Sequence, residues 1–337
     1  MATLPTCFRD ALSNIQPTED EKHAAEAHAE VSKVLTSYDK LKRLGIKPIL
    51  IGSYAREASI RRVKDVDVFG RLTEADDTLA PGKAMDMFGE ALDEEYDDRV
   101  ERQYRSFKID FPEFDLSVDA VPARPCGDHW EIPNRPNERA RWVETNPTKL
   151  NELTTAANKV FTLNGSGIYV PMVKLVRQVR RTWVADQPGG FFFEIMTYWA
   201  FQNTKPSQSS HAAYLTVILE VIAETLPDVA DDGLDDPTLP GKTISTKATN
   251  ADFDAAIKKI AEAATLARAA LNEEDSCRAA AQWRKLLGKT SEGEYVFPLP
   301  TYCNADGTSR ASVTTRVVGA GTVAGAATVP AGSDRFA

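Results

Sequence analysis

The sequence predicts an α+β fold of two lobes, with a mixed β-sheet and helices in the first lobe and helices in the second. Short apolar runs bounded by glycine, proline or acidic residues indicate the strands of the first lobe. A helical pattern begins near residue 146 and continues, with short breaks, to about Gly288. We therefore expect lobes at 1–145 and 146–303, and a flexible tail at 304–337, where Ala, Gly, Thr, Val and Ser predominate.

Composition restricts the class of protein. The 337 residues suffice for two buried cores, and the net charge of −9 argues against an extended nucleic-acid interface, which needs a basic face. No apolar run approaches ~18 residues, so we expect neither export nor a membrane span. Four scattered cysteines without a C-x-x-C spacing favour reduced thiols (Cys7, Cys126, Cys277, Cys303). We expect a cytoplasmic protein with a small-molecule site.

The first predicted elements lead to a phosphate-binding turn. A capping-box pattern starts a helix near Thr18 that extends towards Gly45, and an apolar strand follows at 49–51. Gly52 and Ser53 come directly after this strand and precede a short helical pattern. Such a turn presents unpaired backbone N–H groups to an anion. We expect Gly52 and Ser53 to bind phosphate, with the Ser53 hydroxyl as a further ligand.

The next strand, 65–69, carries two acids. Residues two apart in a strand project to the same side, so Asp65 and Asp67 lie together while the valines face the core. Adjacent carboxylates repel each other, and a divalent cation neutralises them. Mg²⁺ is typically bound by one or two carboxylates together with substrate phosphates, and Mn²⁺ can substitute for it. The alternative interpretation is a polar edge strand whose aspartates face water. The turn and the acids together favour an enzyme that uses nucleoside triphosphates.

These motifs resemble a known superfamily. Gly52-Ser53, followed after about a dozen residues by Asp65-x-Asp67 between apolar residues, resembles the DNA polymerase β-type nucleotidyltransferases. The superfamily pattern requires a third acid, between apolar residues, on a neighbouring strand. Asp119 in the sequence LSVDAVP meets this requirement. The resemblance therefore implies a polymerase β-like nucleotidyltransferase lobe with three catalytic acids.

Within that superfamily, GSYAR and DVDVF together with VDAVPA are most similar to the bacterial CD-NTases. These are relatives of cyclic GMP-AMP synthase and oligoadenylate synthetase and occur in CBASS anti-phage operons. The resemblance covers roughly residues 18–300, and the sharp motifs lie in the first lobe. It implies the condensation of ATP, GTP or both into a cyclic di- or trinucleotide second messenger with release of pyrophosphate. It also implies an accessory protein that binds the C-terminal tail or conjugates it to targets.

The resemblance also implies a two-metal mechanism. Asp65 and Asp67 would bind both Mg²⁺ ions, and Asp119 would complete the first site and accept the hydroxyl proton. Two other functions remain open. A linear oligonucleotide synthase or RNA-tailing enzyme uses the same chemistry, although the acidic composition disfavours it. A catalytically silent nucleotide-binding sensor keeps the fold without turnover.

The remaining first-lobe elements follow in order. Apolar residues at helical spacing predict a helix over 81–97. Two strands, 105–111 and 115–121, are expected to form a hairpin around Pro112, with Asp115 at the turn. Residues 123–146 are rich in Pro, Gly and Asn and predict a long loop that can close over a nucleotide.

The second lobe contains one helix of functional interest, 171–183. Met172, Val176, Val179 and Trp183 form its apolar stripe, and Lys174, Arg177 and Arg181 form a separate basic stripe. A charged stripe is ordinarily a solvated surface. The family uses a lysine on a matching helix to hold the triphosphate, so the resemblance implies that Lys174 and Arg177 bind nucleotide. Further helices are expected at 189–201, 212–225, 251–271 and 274–287, with an acidic loop at 227–242.

Overall fold

The computed structural model describes residues 2–17, 19–134, 141–184, 186–204 and 209–310. Helix α1 (Pro5–Asn14) comes first. The first lobe then comprises α2 (Glu19–Ser37), α3 (Asp39–Lys42), β1 (Ile46–Ile51), α4 (Gly52–Ala55), β2 (Asp65–Leu72), α5 (Pro81–Tyr96), β3 (Val100–Arg102), β4 (Phe107–Phe111), β5 (Leu116–Cys126), β6 (His129–Asn134) and β7 (Arg141–Thr145). The second lobe comprises α6 (Pro147–Val160), β8 (Thr162–Leu163), β9 (Ser166–Gly167), α7 (Tyr169–Trp183), α8 (Gly190–Thr204), α9 (His211–Asp232), α10 (Asn250–Asn272) and α11 (Ser276–Leu287).

The first lobe is built on a seven-stranded mixed sheet in which β1, β2, β5, β4 and β3 lie side by side. Strands β2 and β5 are parallel, and the other pairs are antiparallel. Helices α2 and α5 pack on the sheet and bury Val31, Leu35, Phe88 and Leu92 in its core. The predicted α+β class is confirmed, as are the helix at 81–97 and the hairpin around Pro112.

The predicted loop at 123–146 is wrong for its described part. Strand β5 continues to Cys126, turns, and pairs with β6, which in turn pairs with β7. Prolines suggested a loop, but Pro133 lies where β6 pairs with β7 alone, so the missing N–H removes no bond from a second ladder. Residues 135–140 lie outside the described part of the chain.

The second lobe has its own hydrophobic core, to which α7, α8, α9, α10 and α11 contribute. Helix α1 packs into this core, although the predicted boundary assigns it to the first lobe. Phe8 is fully buried, with ring centroids 5.0 Å from Trp283 and 5.1 Å from Phe297. Helix α9 extends through Pro227 to Asp232, beyond its predicted end at Thr225, because Leu226 still faces the core. The acidic loop is correspondingly shorter.

Two cysteines differ from the expectation of reduced thiols. Cys277 and Cys303 form a disulfide, with their Cα atoms 5.3 Å apart, while Cys7 and Cys126 are free. The chain after α11 folds back on that helix and brings the two residues together across a separation of 26 residues, which no local pattern reveals. None of the helices in the described part of the chain combines the length and the apolar character that a membrane crossing requires.

Candidate active site

The Gly52-Ser53 turn connects β1 directly to α4. Gly52 has a φ of +78°, and a Cβ added there would lie 2.0 Å from Oδ2 of Asp67. Both its left-handed conformation and this close approach require glycine. The hydroxyl oxygens of Ser53 and Ser59 lie 3.0 Å apart. The turn therefore lies directly against the side chain of one predicted catalytic acid.

The pairing of β2 with β5 brings the three predicted acids together. Asp67 lies opposite Asp119 in the parallel register, and Asp65 lies opposite Ser117. Because side chains alternate along a strand, all three acids project from the same face of the sheet. The Ser117 hydroxyl donates a hydrogen bond of 3.0 Å to Oδ1 of Asp65. Asp115 stands apart at the hairpin turn, where it pairs with Arg62 at 2.8 Å.

The environment of Asp67 and Asp119 disfavours the charged forms of their carboxyl groups. Burial raises the pKa of Asp67, with a further contribution from Asp65 that Arg56 opposes. Burial, followed by repulsion from Asp67 and Asp65, raises the pKa of Asp119 to about 6. Oδ1 of Asp119 is buried and has no hydrogen-bond partner among the described residues. A cation bound here would relieve both the repulsion and the unpaired oxygen.

These observations fit a site for Mg²⁺ or a similar hard cation, which prefers oxygen ligands. Within the ranges that the structure describes, no three ligating side chains already surround a single point closely enough to hold a metal. The acids alone would therefore provide only part of the coordination sphere of such a cation. Mg²⁺ commonly completes such a sphere with water and substrate phosphates.

The acids open onto a cavity of about 1270 Å³. Its walls include the Gly52-Ser53 turn and the acids from the first lobe, and Arg177, Arg181 and Phe191 from the second. Side chains of β6 and β7 and of the segment 236–245 complete the enclosure. The volume exceeds the roughly 300–1,000 Å³ of a typical small-molecule pocket, so the cavity has room for more than one ligand.

Several basic groups line the cavity together with the acids. Arg62, Lys64, Arg105 and Arg181 all line the cavity. Arg56 also lines the cavity and is paired with Glu194 at 2.6 Å. The cavity can thus accommodate anionic groups beside the three carboxylates.

The structure separates the two predicted nucleotide ligands of α7. Arg177 lines the cavity and pairs with Glu194 at 3.2 Å. Lys174 is outside the cavity lining, and its Nζ donates to Oε1 of Gln16 at 2.6 Å. Burial lowers the pKa of Lys174, with Glu21 and Glu57 opposing this effect. In this arrangement Lys174 connects α7 to the segment after α1.

Sequence reasoning missed Glu194. It lies in α8, whose apolar residues predict only a buried core helix, and just 1% of its side chain is exposed. The available signal was a single acid within an otherwise apolar helix, since a buried charge needs partners. Its partners Arg56 and Arg177 are remote in the sequence, so their identity was not predictable from local spacing.

The chain is similar in sequence to a described protein family and to several known proteins. The family described as Second Messenger Oligonucleotide or Dinucleotide Synthetase domain matches residues 1–158. The chain is 29% identical over 297 residues to the cyclic AMP-AMP-AMP synthase of Acinetobacter sp. (strain ATCC 27244 / 9458), covering 83% of each protein. It is 24% identical to the cyclic AMP-AMP-GMP synthase of Enterobacter hormaechei subsp. hoffmannii (strain UCI 50), covering 87% of this chain and 91% of that protein.

The fold also matches solved structures. The structure of CdnC from E. coli MS115-1 with ATP aligns with a TM-score of 0.67 at 19% identity, covering 87% of this chain and 98% of that one. At this identity the likeness concerns the fold. The likeness covers the helical second lobe as well as the sheet, because the match extends over 87% of this chain.

Proposed function

Since the chain belongs to the bacterial CD-NTases, the nucleotidyltransferases that synthesise cyclic oligonucleotides, we propose that it condenses nucleoside triphosphates into a cyclic second messenger and releases pyrophosphate. The observation that carries this proposal is the position of three acids on one sheet face, in a cavity shared by both lobes. Both curated relatives are named for products that contain adenosine and three nucleotides. We therefore favour a cyclic trinucleotide over a dinucleotide, with ATP among the substrates.

In the proposed reaction, Asp65 and Asp67 would hold two Mg²⁺ ions, and Asp119 would complete the first site. Bound Mg²⁺ or Mn²⁺ would lower the pKa of the attacking ribose hydroxyl and neutralise the leaving pyrophosphate. Asp119, whose Oδ1 has no partner among the described residues, accepts the hydroxyl proton. The ribose oxygen then bonds to the α-phosphorus, and the bond from that phosphorus to the bridging oxygen of pyrophosphate breaks.

The other cavity groups hold the substrate for this step. The backbone N–H groups of Gly52 and Ser53 and the Ser53 hydroxyl bind the triphosphate on the first lobe. Arg177 balances phosphate charge from the second lobe, where it lines the cavity. A cavity with room for more than one nucleotide suits a reaction that joins a donor to an acceptor. Holding both in place converts a bimolecular step into one within a single complex.

We further propose that the enzyme acts in the cytoplasm, in the anti-phage signalling of a CBASS operon. An accessory protein of such an operon would bind or conjugate the C-terminal tail. Residues 311–337 lie outside the described residues, so the predicted flexible tail has only its sequence as support there. The net charge of −9 supports small nucleotides as ligands and disfavours a long nucleic acid.

Replacement of Asp67 tests the proposed site. We expect Asp67→Ala and the isosteric Asp67→Asn to reduce pyrophosphate release at least about 100-fold, because a metal ligand contributes several kcal/mol to the transition state. Circular dichroism should show an unchanged fold. Asp86→Asn is the matched control, because Asp86 pairs with Arg102 on the protein surface at 2.8 Å. Undiminished pyrophosphate release from the Asp67 variants would remove the proposed site.

Product analysis separates the three functions left open by the sequence. Labelled ATP and GTP, alone and mixed, are incubated with Mg²⁺ or Mn²⁺, and products are resolved by thin-layer chromatography and mass spectrometry. A phosphatase-resistant product lacking free ends supports the cyclic synthase. Linear products, or labelled RNA when RNA is added, support a linear synthase or a tailing enzyme. Nucleotide binding without any product supports a silent sensor.

A further inference from the structure

A buried ion cluster of Arg56, Arg177 and Glu194 joins the two lobes at the wall of the cavity. Nε and Nη2 of Arg56 donate to the two carboxylate oxygens of Glu194 at 2.6 and 3.2 Å. Nη1 of Arg177 donates to Glu194 Oε2 at 3.2 Å. Arg56 directly follows α4 in the first lobe, whereas Arg177 and Glu194 lie on α7 and α8 of the second. One carboxylate thus binds two guanidinium groups from different lobes.

The cluster carries an excess positive charge. Burial by itself would raise the pKa of Glu194, but Arg56 and Arg177 outweigh it and lower the pKa below its usual value. Glu194 is therefore ionised, and one negative charge faces two positive charges. Nε of Arg177 is also buried without a hydrogen-bond partner in the described ranges. This unpaired N–H donor at the cavity wall favours a ligand that offers a hydrogen-bond acceptor, such as an anionic phosphate.

The cluster also reaches the proposed metal ligands. The Arg56 guanidinium attracts the carboxylate of Asp67 and opposes the rise in pKa that burial causes there. Asp67 in turn packs against Gly52, four residues before Arg56. Arg56, Asp67 and Glu194 all line the same cavity, and Arg56 pairs with Glu194 across the two lobes.

From this arrangement we infer that Glu194 is a positioning residue for nucleotidyl transfer: it holds Arg177 towards the triphosphate and, through Arg56, sets the second lobe against the Gly52-Ser53 turn. The inference rests on the proposed function and names a residue that acts through two others. Glu194 has no direct role in the chemistry, because its carboxylate is occupied by both arginines.

A purely structural role makes different predictions. Buried ion pairs often add little net stability, and apolar residues of similar volume can replace them without loss. A purely electrostatic role also differs, because neutralising Glu194 would leave more positive charge at the cavity and strengthen the binding of a triphosphate. Of these three roles, only positioning predicts that removing the negative charge of Glu194 weakens the binding of a triphosphate.

The first test is Glu194→Gln, which keeps the side-chain shape and removes the charge. We expect the Kd for Mg²⁺ and an ATP analogue with a non-hydrolysable α–β bridge to rise at least tenfold, and kcat for pyrophosphate release to fall at least tenfold. Glu194→Asp should recover part of both losses. Glu220→Gln is the matched control, since Glu220 pairs with Arg268 between α9 and α10, away from the cavity lining. Unchanged or tighter analogue binding in Glu194→Gln overturns the inference.

Two further variants remove folding as an explanation. The double variant Arg56→Met with Glu194→Leu removes the pair between these two residues and leaves Arg177 as the remaining charge of the cluster. We expect circular dichroism to show that it folds, with the analogue still bound at least tenfold more weakly. Arg177→Gln should raise the Kd as Glu194→Gln does, and the two changes combined should cost less than the sum of their separate effects, because they share the contact between Glu194 and Arg177. Wild-type kinetics in the apolar double variant, or fully additive losses, overturn the inference. A wild-type protein that releases no pyrophosphate would instead contradict the proposed function.

Discussion

Asp119 illustrates how a residue with a proposed catalytic role can oppose folding. Its pKa is raised to about 6, first by burial and then by repulsion from Asp67 and Asp65. A raised carboxyl pKa means that the folded protein binds protons more tightly than the unfolded chain. The resulting destabilisation is absent below the unfolded pKa of 3.8 and complete above about 6. At neutral pH the metal-free protein is therefore destabilised by the negative charge of Asp119, which the proposed mechanism requires.

We accordingly expect Asp119→Asn to stabilise the metal-free protein at pH 7.5. The shift corresponds to on the order of 1–2 kcal/mol after allowance for solvent screening of a partly exposed group. Urea denaturation in EDTA at pH 7.5 and at pH 4 measures the effect, which should shrink at the lower pH. Asp86→Asn, which alters a surface ion pair, serves as the control. A variant less stable than wild type at pH 7.5 would contradict the pKa assignment.

At the scale of single elements, α1 shows that chain order and lobe membership differ. Cys7, Phe8, Ala11 and Ile15 are buried in the core of the second lobe, although the chain then enters the first lobe through α2. Lys174 and Gln16 add a polar contact of 2.6 Å between α7 and the residues that follow α1. The first helix thus completes a domain whose other helices begin after residue 146.

Truncation of Phe8 tests this role of α1. We expect Phe8→Ala to lower the free energy of unfolding by about 3–5 kcal/mol, because a fully buried ring is lost and a cavity remains between Trp283 and Phe297. Chemical denaturation followed by tryptophan fluorescence measures the change. Tyr104→Ala removes an aromatic ring that is 68% exposed and should change stability by no more than about 0.5 kcal/mol. Equal effects of the two substitutions would contradict the packing of α1.

For the whole molecule, the important feature is that the cavity has walls from both lobes. A nucleotide held by the Gly52-Ser53 turn and by Arg177 would contact both lobes, each of which has its own hydrophobic core. Binding would therefore order both lobes together and raise the stability of the complete chain, since a ligand that binds only the folded state stabilises it by mass action.

Hydrogen exchange can test this coupling. We expect Mg²⁺ with a non-hydrolysable ATP analogue to slow amide exchange in both α4 and α7, because the triphosphate of the analogue would lie between these two helices. Adenosine, which lacks phosphates, is the matched control ligand and should give little protection in either helix. Protection confined to one lobe would mean that the nucleotide does not bridge the cavity.

The sequence by itself determined the local part of the site. A strand, a glycine-serine turn and two acids with a spacing of two residues follow from short-range patterns, because alternation along a strand fixes which side chains share a face. The α+β class was predictable for the same reason. Prolines within β5 and β6 misled the prediction of a loop, since local composition does not show which edge of a strand is unpaired.

Only the tertiary structure decided which remote residues meet. The parallel register of β2 with β5 places Asp119 opposite Asp67, whereas local patterns indicated only that both lie on strands and the family resemblance implied that the strands are neighbours. Arg56 and Glu194 are 138 residues apart, and Cys277 pairs with Cys303 after a reversal of the chain. Such contacts depend on how whole elements pack to bury their apolar faces, which no short segment encodes.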